Sequence, residues 1–140
     1  MQDILTLKHA DLTEKVIGLF FDVYNELGEG FLESVYQNAM SLALVQAGLH
    51  VEREVAIPVF FRGQMVGDFR ADLIVNEVVI VELKTVRALE HVHESQLYNY
   101  LRSTEIEVGL LLNFGPRAQF RRIAFENAQK KMARAQAASS

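Results

Sequence analysis

Phe69-Arg70-Ala71-Asp72-Leu73-Ile74-Val75-Asn76-Glu77-Val78-Val79-Ile80-Val81-Glu82-Leu83-Lys84 is the stretch on which the reading of this 140-residue chain turns. A run of β-branched residues up to Val75, a break at Asn76-Glu77 and a second apolar run from Val78 to Lys84 predict two strands of a hairpin. The second run is apolar enough to be central in a sheet, yet it ends in Glu82 and Lys84. Two residues apart, these point to the same face. A charged group on a central strand is costly unless it is paired or binds a metal. Asp72 is the partner to examine. With a two-residue turn it sits opposite Val81 and faces away from Glu82. With a three-residue connection through Val78, or a bulge, it lies opposite Glu82 and the carboxylates converge. We expect the second register.

Converging carboxylates repel, and a divalent cation relieves that repulsion. Oxygen-only ligation suits Mg2+ or Mn2+. The chain has no cysteine, which removes disulfides, thiolate zinc sites and a cysteine nucleophile. A lysine beside such an ion can orient a water or offset charge building on a phosphate, chemistry suited to phosphodiester hydrolysis. The plainer reading is a salt bridge between Glu82 and Lys84, with Asp72 a surface acid.

Outward from the hairpin, residues 12–27 read as an amphipathic helix with Val16, Phe20, Val23 and Leu27 in one stripe, widened by Ile17, Phe21 and Tyr24. Gly28 is placed to cap it. A second helix is expected over 32–47, burying Leu32, Val35, Tyr36, Ala39, Leu42 and Ala43, with Gly48 ending it. Alternating Val55, Ile57, Val59 and Phe61 predict a strand that Pro58 assigns to an edge, followed by a turn at Arg62-Gly63-Gln64. A helix over 91–103, a buried strand over 107–113 and, over 119–125, a final strand or a strand running into helix complete the order α-α-β-β-β-α-β-β. That order fits an α/β (α+β) domain with a mixed central sheet and flanking helices. One domain over residues 1–128 accounts for the length, with a basic, Ala/Ser-rich tail at 129–140 expected to fray.

Net charge is −4 but uneven: residues 1–50 carry −5, residues 51–115 carry −4 and residues 116–140 carry +5. Bulk charge therefore does not grip nucleic acid, although a local groove with a cation still can. Arg117, Arg121, Arg122, Lys130, Lys131 and Arg134 are available to phosphates, or form a solvated edge and tail. With no apolar run near the roughly 20 residues of a membrane helix and no secretion signal at the start, a cytoplasmic protein is expected. Walker, dinucleotide-binding and nucleophile-elbow patterns are absent.

The ordered segments Gly30-Phe31-Leu32-Glu33-Ser34-Val35-Tyr36, Phe69–Leu73, Val79–Lys84, His93–Leu101 and Leu110–Gly115 resemble the motifs of the GxxExxY proteins. That family is placed in the PD-(D/E)XK nuclease-like superfamily. The resemblance implies a restriction-endonuclease-like αβββαβ core, here preceded by one extra helix. It implies divalent metal at Asp72 and Glu82, with Glu33 as a further acid and Lys84 as the catalytic lysine. Gln96 and Tyr100 match a Gln-x-x-x-Tyr element that lines the substrate groove, and His93 one turn earlier is a further substrate-binding candidate. Each has a bland counterpart: an acid such as Glu33 suits any first helical turn, and Gln96 and Tyr100 share a face as many helical pairs do. His50 and His91 are read as surface residues. Tyr36 is read as core, its hydroxyl reaching a polar neighbour.

Two functions are compatible with this pattern. One is a metal-dependent nuclease acting on DNA or RNA, with Mg2+ or Mn2+ as cofactor. The other is an inactive nuclease-fold module that binds nucleic acid or protein. Phe20 and Phe21 offer a candidate homodimer surface, core packing being their simpler use.

Overall fold

The computed structural model describes residues 8–130. Two helices come first, α1 (Ala10–Leu27) and α2 (Glu33–Gln46). Strands β1 (Val51–Phe61), β2 (Gln64–Val75) and β3 (Val79–Lys84) follow, then α3 (His91–Arg102), β4 (Val108–Phe114) and β5 (Ala118–Ala124). The strands form one sheet in the order β1-β2-β3-β4-β5. Neighbours run antiparallel except β3 and β4, which are parallel and joined through α3. The element order and the mixed sheet expected from sequence are both present. β1 lies at the edge, as Pro58 required, and β3 is central.

The sheet is covered on both sides. Val16, Phe20 and Val23 of α1 and Tyr36, Met40 and Leu44 of α2 pack on one face with Leu73, Val81, Leu83 and Leu110. Leu97, Tyr100 and Leu101 of α3 pack on the other with Ala71, Ile80 and Leu111. Coverage on both faces explains why β3 and β4 are almost wholly apolar. Tyr36 stacks on Phe114 at 4.3 Å between ring centroids, and Phe20 meets the same ring edge-on at 4.8 Å. Phe20 is therefore core and closed to a dimer contact, whereas Phe21 is partly exposed.

The phase of α2 differs from the expected one. Leu32 and Leu42 are 77% and 59% exposed, while Met40 and Leu44 are fully buried. Ala39, Met40, Leu42, Ala43, Leu44 and Val45 make the helix apolar on nearly every side, so periodicity alone does not select its inner face. In α1, Leu27 falls at the exposed end of its stripe. Gly28 caps α1 through an N–H donated to the Tyr24 carbonyl, at 2.8 Å and φ 71°.

Of the expected tail, only Gln129 and Lys130 are among the described residues. Lys130 is buried, donating from Nζ to the Thr104 and Ile106 carbonyls at 3.0 and 2.8 Å. Arg121 pairs with Glu94 at 3.6 Å, and Arg122 donates to the Lys8 carbonyl and to Thr13 Oγ1. These three bases of the C-terminal segment serve the fold; Lys131 and Arg134 lie outside the described residues.

Candidate metal centre

The β2–β3 connection has the three-residue form. Val75 pairs with Val79, so Asn76, Glu77 and Val78 make the turn. Asn76 and Glu77 take φ of 50° and 63°, and the Val78 N–H donates to the Val75 carbonyl at 3.1 Å. The register runs Val75–Val79, Ile74–Ile80, Leu73–Val81 and stops there. One step further stand Asp72 and Glu82, which bond reciprocally to the opposite strand. The Asp72 N–H donates to Glu82 Oε1 at 3.0 Å, and the Leu83 N–H donates to Asp72 Oδ2 at 2.8 Å.

The sheet is also disturbed on the other side of Asp72. Arg53–Leu73 and Val55–Ala71 keep register across β1 and β2, while Glu54 between them takes φ 51°. A non-glycine residue held left-handed is a local strain that surrounding contacts must maintain. Gln37 of α2 does so, donating from Nε2 to Glu54 Oε1 at 2.9 Å and to the Asp72 carbonyl at 3.1 Å. Asp72 is thus released from both ladders and fixed by side chains.

Burial pushes the Glu82 carboxyl up to about 9, aided by the Asp72 charge beside it. Asp72 is raised as well, chiefly by burial. Glu33, at the start of α2, is raised by partial desolvation and by Asp72, with Lys84 opposing. Two carboxyls in this state share a proton or accept a cation. The reciprocal N–H bonds leave Asp72 Oδ1 and Glu82 Oε2 without a backbone donor among the described residues. This all-oxygen carboxylate donor set fits Mg2+ or Mn2+. The ligand oxygens of Glu33, Asp72 and Glu82 are not all within 4.8 Å of one another.

On the α3 side, Lys84 Nζ donates to Gln96 Oε1 at 3.1 Å, and Gln96 Nε2 donates to the Tyr100 hydroxyl at 3.1 Å. Tyr100 is nearly buried, and its phenol is pushed up to about 12 by burial and by the Glu82 and Asp72 charges. Gln96 and Tyr100 are thus hydrogen-bonded in a chain with Lys84, whose charge acts on both Asp72 and Glu82. His93 does not join it by any hydrogen bond. Its Nδ1 accepts the Glu90 N–H at 2.9 Å, closing the first turn of α3.

Two loops border the group. Tyr36 donates its hydroxyl to the Gly28 carbonyl and accepts the Phe31 N–H at 3.3 Å, so it holds the turn that delivers Glu33. Past Lys84, the Val86 N–H donates to Asn113 Oδ1 at 3.0 Å, and Asn113 Nδ2 donates to the Val86 carbonyl at 2.9 Å. Between these loops lies a cleft of about 360 Å3, lined by Gly30, Phe31, Thr85, Val86 and Arg87.

Sequence reasoning missed Glu54 and Gln37. Glu54 carries a weak signal as the polar residue before the Val55–Phe61 alternation, and Gln37 carries none. It also passed over a second acidic group: His50, Glu52 and Glu77 place one ligand atom each within 4.8 Å of the others, all exposed, near the β2–β3 turn. Asn76 holds the main chain of His50 there, accepting its N–H at 2.9 Å.

No curated protein matches the chain. It is similar to a solved structure described as "Crystal structure of SSO0001", with TM-score 0.55 and 20% identity over 94% of this chain and 67% of that one. That likeness is one of fold. The family model of the PD-(D/E)XK nuclease superfamily matches residues 10–123, a span that includes every residue of the Asp72–Tyr100 group. The chain belongs to the PD-(D/E)XK nuclease superfamily.

Proposed function

We propose that the protein is a divalent-metal-dependent nuclease that hydrolyses DNA or RNA phosphodiester bonds. The observation that carries this reading is the reciprocal Asp72–Glu82 arrangement with Lys84 on the same face. Within the superfamily we assign the chain to the GxxExxY proteins, on Gly30, Glu33 and Tyr36.

Asp72 and Glu82 would hold Mg2+ or Mn2+, with Glu33 completing the set directly or through water. A bound divalent ion supplies charge neutralisation for the phosphate and acidifies a water. Lys84 orients the attacking water and offsets the charge that builds on the phosphate oxygens. Gln96 fixes the Lys84 ammonium through its Oε1. Tyr100, with its phenol held near 12, stays protonated at neutral pH and serves as a hydrogen-bond donor to substrate. The exposed His50–Glu52–Glu77 group brings Glu77 of the β2–β3 turn beside His50 and Glu52 at the start of β1.

The test is cleavage of labelled single- and double-stranded DNA and RNA in Mg2+ and in Mn2+. Asp72→Ala, Glu82→Ala and Lys84→Ala should each lower the rate by about 100-fold or more. A folded wild-type protein that cleaves none of these substrates in either metal would contradict the reading. Binding without turnover would favour the inactive-module alternative.

A further inference from the structure

The distal half of the β1–β2 hairpin carries an unusual load of exposed apolar side chains. Phe60, Phe61, Met65 and Val66 are 57–63% exposed, and Phe69 is 37% exposed. A two-residue turn at Arg62-Gly63, with φ of 49° and 77°, closes the hairpin. The pairing shifts between Val59 and Phe60, where Val66 of β2 is the extra residue without a partner on β1. Between the hairpin and the C-terminal end of α3 runs an open groove of about 660 Å3. Pro58, Phe60 and Phe69 line one side and Asn99, Arg102 and Ser103 the other. That volume is typical of a ligand site.

Two observations bear on what occupies the groove. The first is continuity. The Phe69 ring packs on the Tyr100 ring at 5.6 Å between centroids. Tyr100 in turn is bonded through Gln96 to Lys84. Through these contacts the Phe69 wall of the groove is linked to the side chains beside the candidate metal centre. The second is charge. In an acidic protein, hairpin residues 58–70 carry Arg62 and Arg70 against the single acid Asp68. The Arg62 guanidinium lies over the Phe61 ring at 4.9 Å. Across the groove, Arg102 makes no ion pair among the described residues. Aromatic faces flanked by arginines suit stacked bases with phosphates alongside.

We infer that this groove binds a single-stranded stretch of nucleic acid flanking the scissile phosphate, with Phe60 and Phe69 stacking bases and Arg102 contacting a phosphate. The inference rests on the nuclease reading for the position of that phosphate. A paired duplex keeps its base faces stacked inside and cannot use these rings along its length. The protein's net charge of −4 gives no alternative grip on duplex backbone. The substrate class is therefore a single strand, or a duplex with an unpaired end.

The test is fluorescence anisotropy in EDTA with a labelled 20-nucleotide single strand and the corresponding duplex, on wild type, Phe60→Ala, Arg102→Ala and the remote control Lys15→Ala. Wild type should prefer the single strand. Phe60→Ala and Arg102→Ala should each weaken that binding about tenfold, with melting temperature unchanged because both side chains are solvent-facing. Lys15→Ala should bind as wild type does. Unchanged binding in both groove variants, equal affinity for duplex, or no binding by wild type each overturns the inference. So does sedimentation that reveals a wild-type dimer dissociated by Phe60→Ala with oligonucleotide binding intact, since a second copy would then fill the groove. Cleavage in Mn2+ separates the two readings. Loss of strand binding in the groove variants with no cleavage by any form retains the groove and removes the nuclease. Cleavage that depends on Asp72, with binding indifferent to Phe60 and Arg102, does the reverse.

Discussion

Glu82 is 3% exposed on a strand of valine, isoleucine and leucine, and burial beside Asp72 pushes its carboxyl up to about 9. In the unfolded chain the same group titrates in the ordinary glutamate range, about 4.3. Its folded value is the higher one, so the folded state binds the extra proton between the two. Its contribution to stability is present in full below about pH 4 and is lost as pH rises through 9. In EDTA, Glu82→Gln should therefore melt higher than wild type at pH 9, by on the order of 5 °C, and the gap should close toward pH 5. Calorimetric melts across that range measure it; parallel wild-type and variant curves would refute the burial argument. At this scale the sequence was informative where chemistry clashed with pattern. Glu82 and Lys84 stood out because an apolar strand should not contain them. Glu54 and Gln37 escaped because a polar residue on an edge strand or a helix surface clashes with nothing; only the φ of 51° and the shared contact with Asp72 mark them.

Among the elements, the loop after β3 depends on a close approach that no residue larger than glycine permits. A Cβ at Gly115 would lie 2.0 Å from the Val86 carbonyl oxygen, in the segment that Asn113 clamps directly after Lys84. Gly115→Ala should destabilise the fold by about 1–3 kcal/mol and lower cleavage by displacing Lys84. Gly18, in the middle of α1, has nothing within 4 Å of its added Cβ. Gly18→Ala should stabilise by about 0.5–1 kcal/mol. Urea denaturation of the two variants, with cleavage rates in parallel, checks both signs. Strand and helix positions were legible because the period changes from 3.6 to 2 after Gly48, and the hairpin register because only one turn length brings the acids together. The phase of α2 was not legible, since leucines and alanines lie on all sides of it and contact with the sheet decides which are buried.

At the level of the molecule, the sheet brings side chains from β2, β3, α2 and α3 to one end of the β2–β3 pair, where the strands stop pairing. That convergence has no local trace in sequence beyond the ordered spacing of Glu33, Asp72, Glu82, Lys84, Gln96 and Tyr100. A cation held there stabilises the folded state by mass action, about 2.7 kcal/mol at a hundredfold excess over its dissociation constant. Mn2+ should raise the melting temperature of wild type and of His50→Ala alike, and should leave Asp72→Ala and Glu82→Ala unmoved. The shift should grow from pH 6 to pH 9, because binding displaces the proton the two carboxyls otherwise hold. Among the described residues, two acidic groups could compete for the ion, one partly buried at Asp72–Glu82 and one exposed at His50–Glu52–Glu77. The decisive measurement is the anomalous signal of Mn2+ in crystals of the protein. A peak is expected between Asp72 and Glu82, about 2.1 Å from a carboxylate oxygen of each. A peak confined to His50, Glu52 and Glu77, or none at either place, would contradict that expectation.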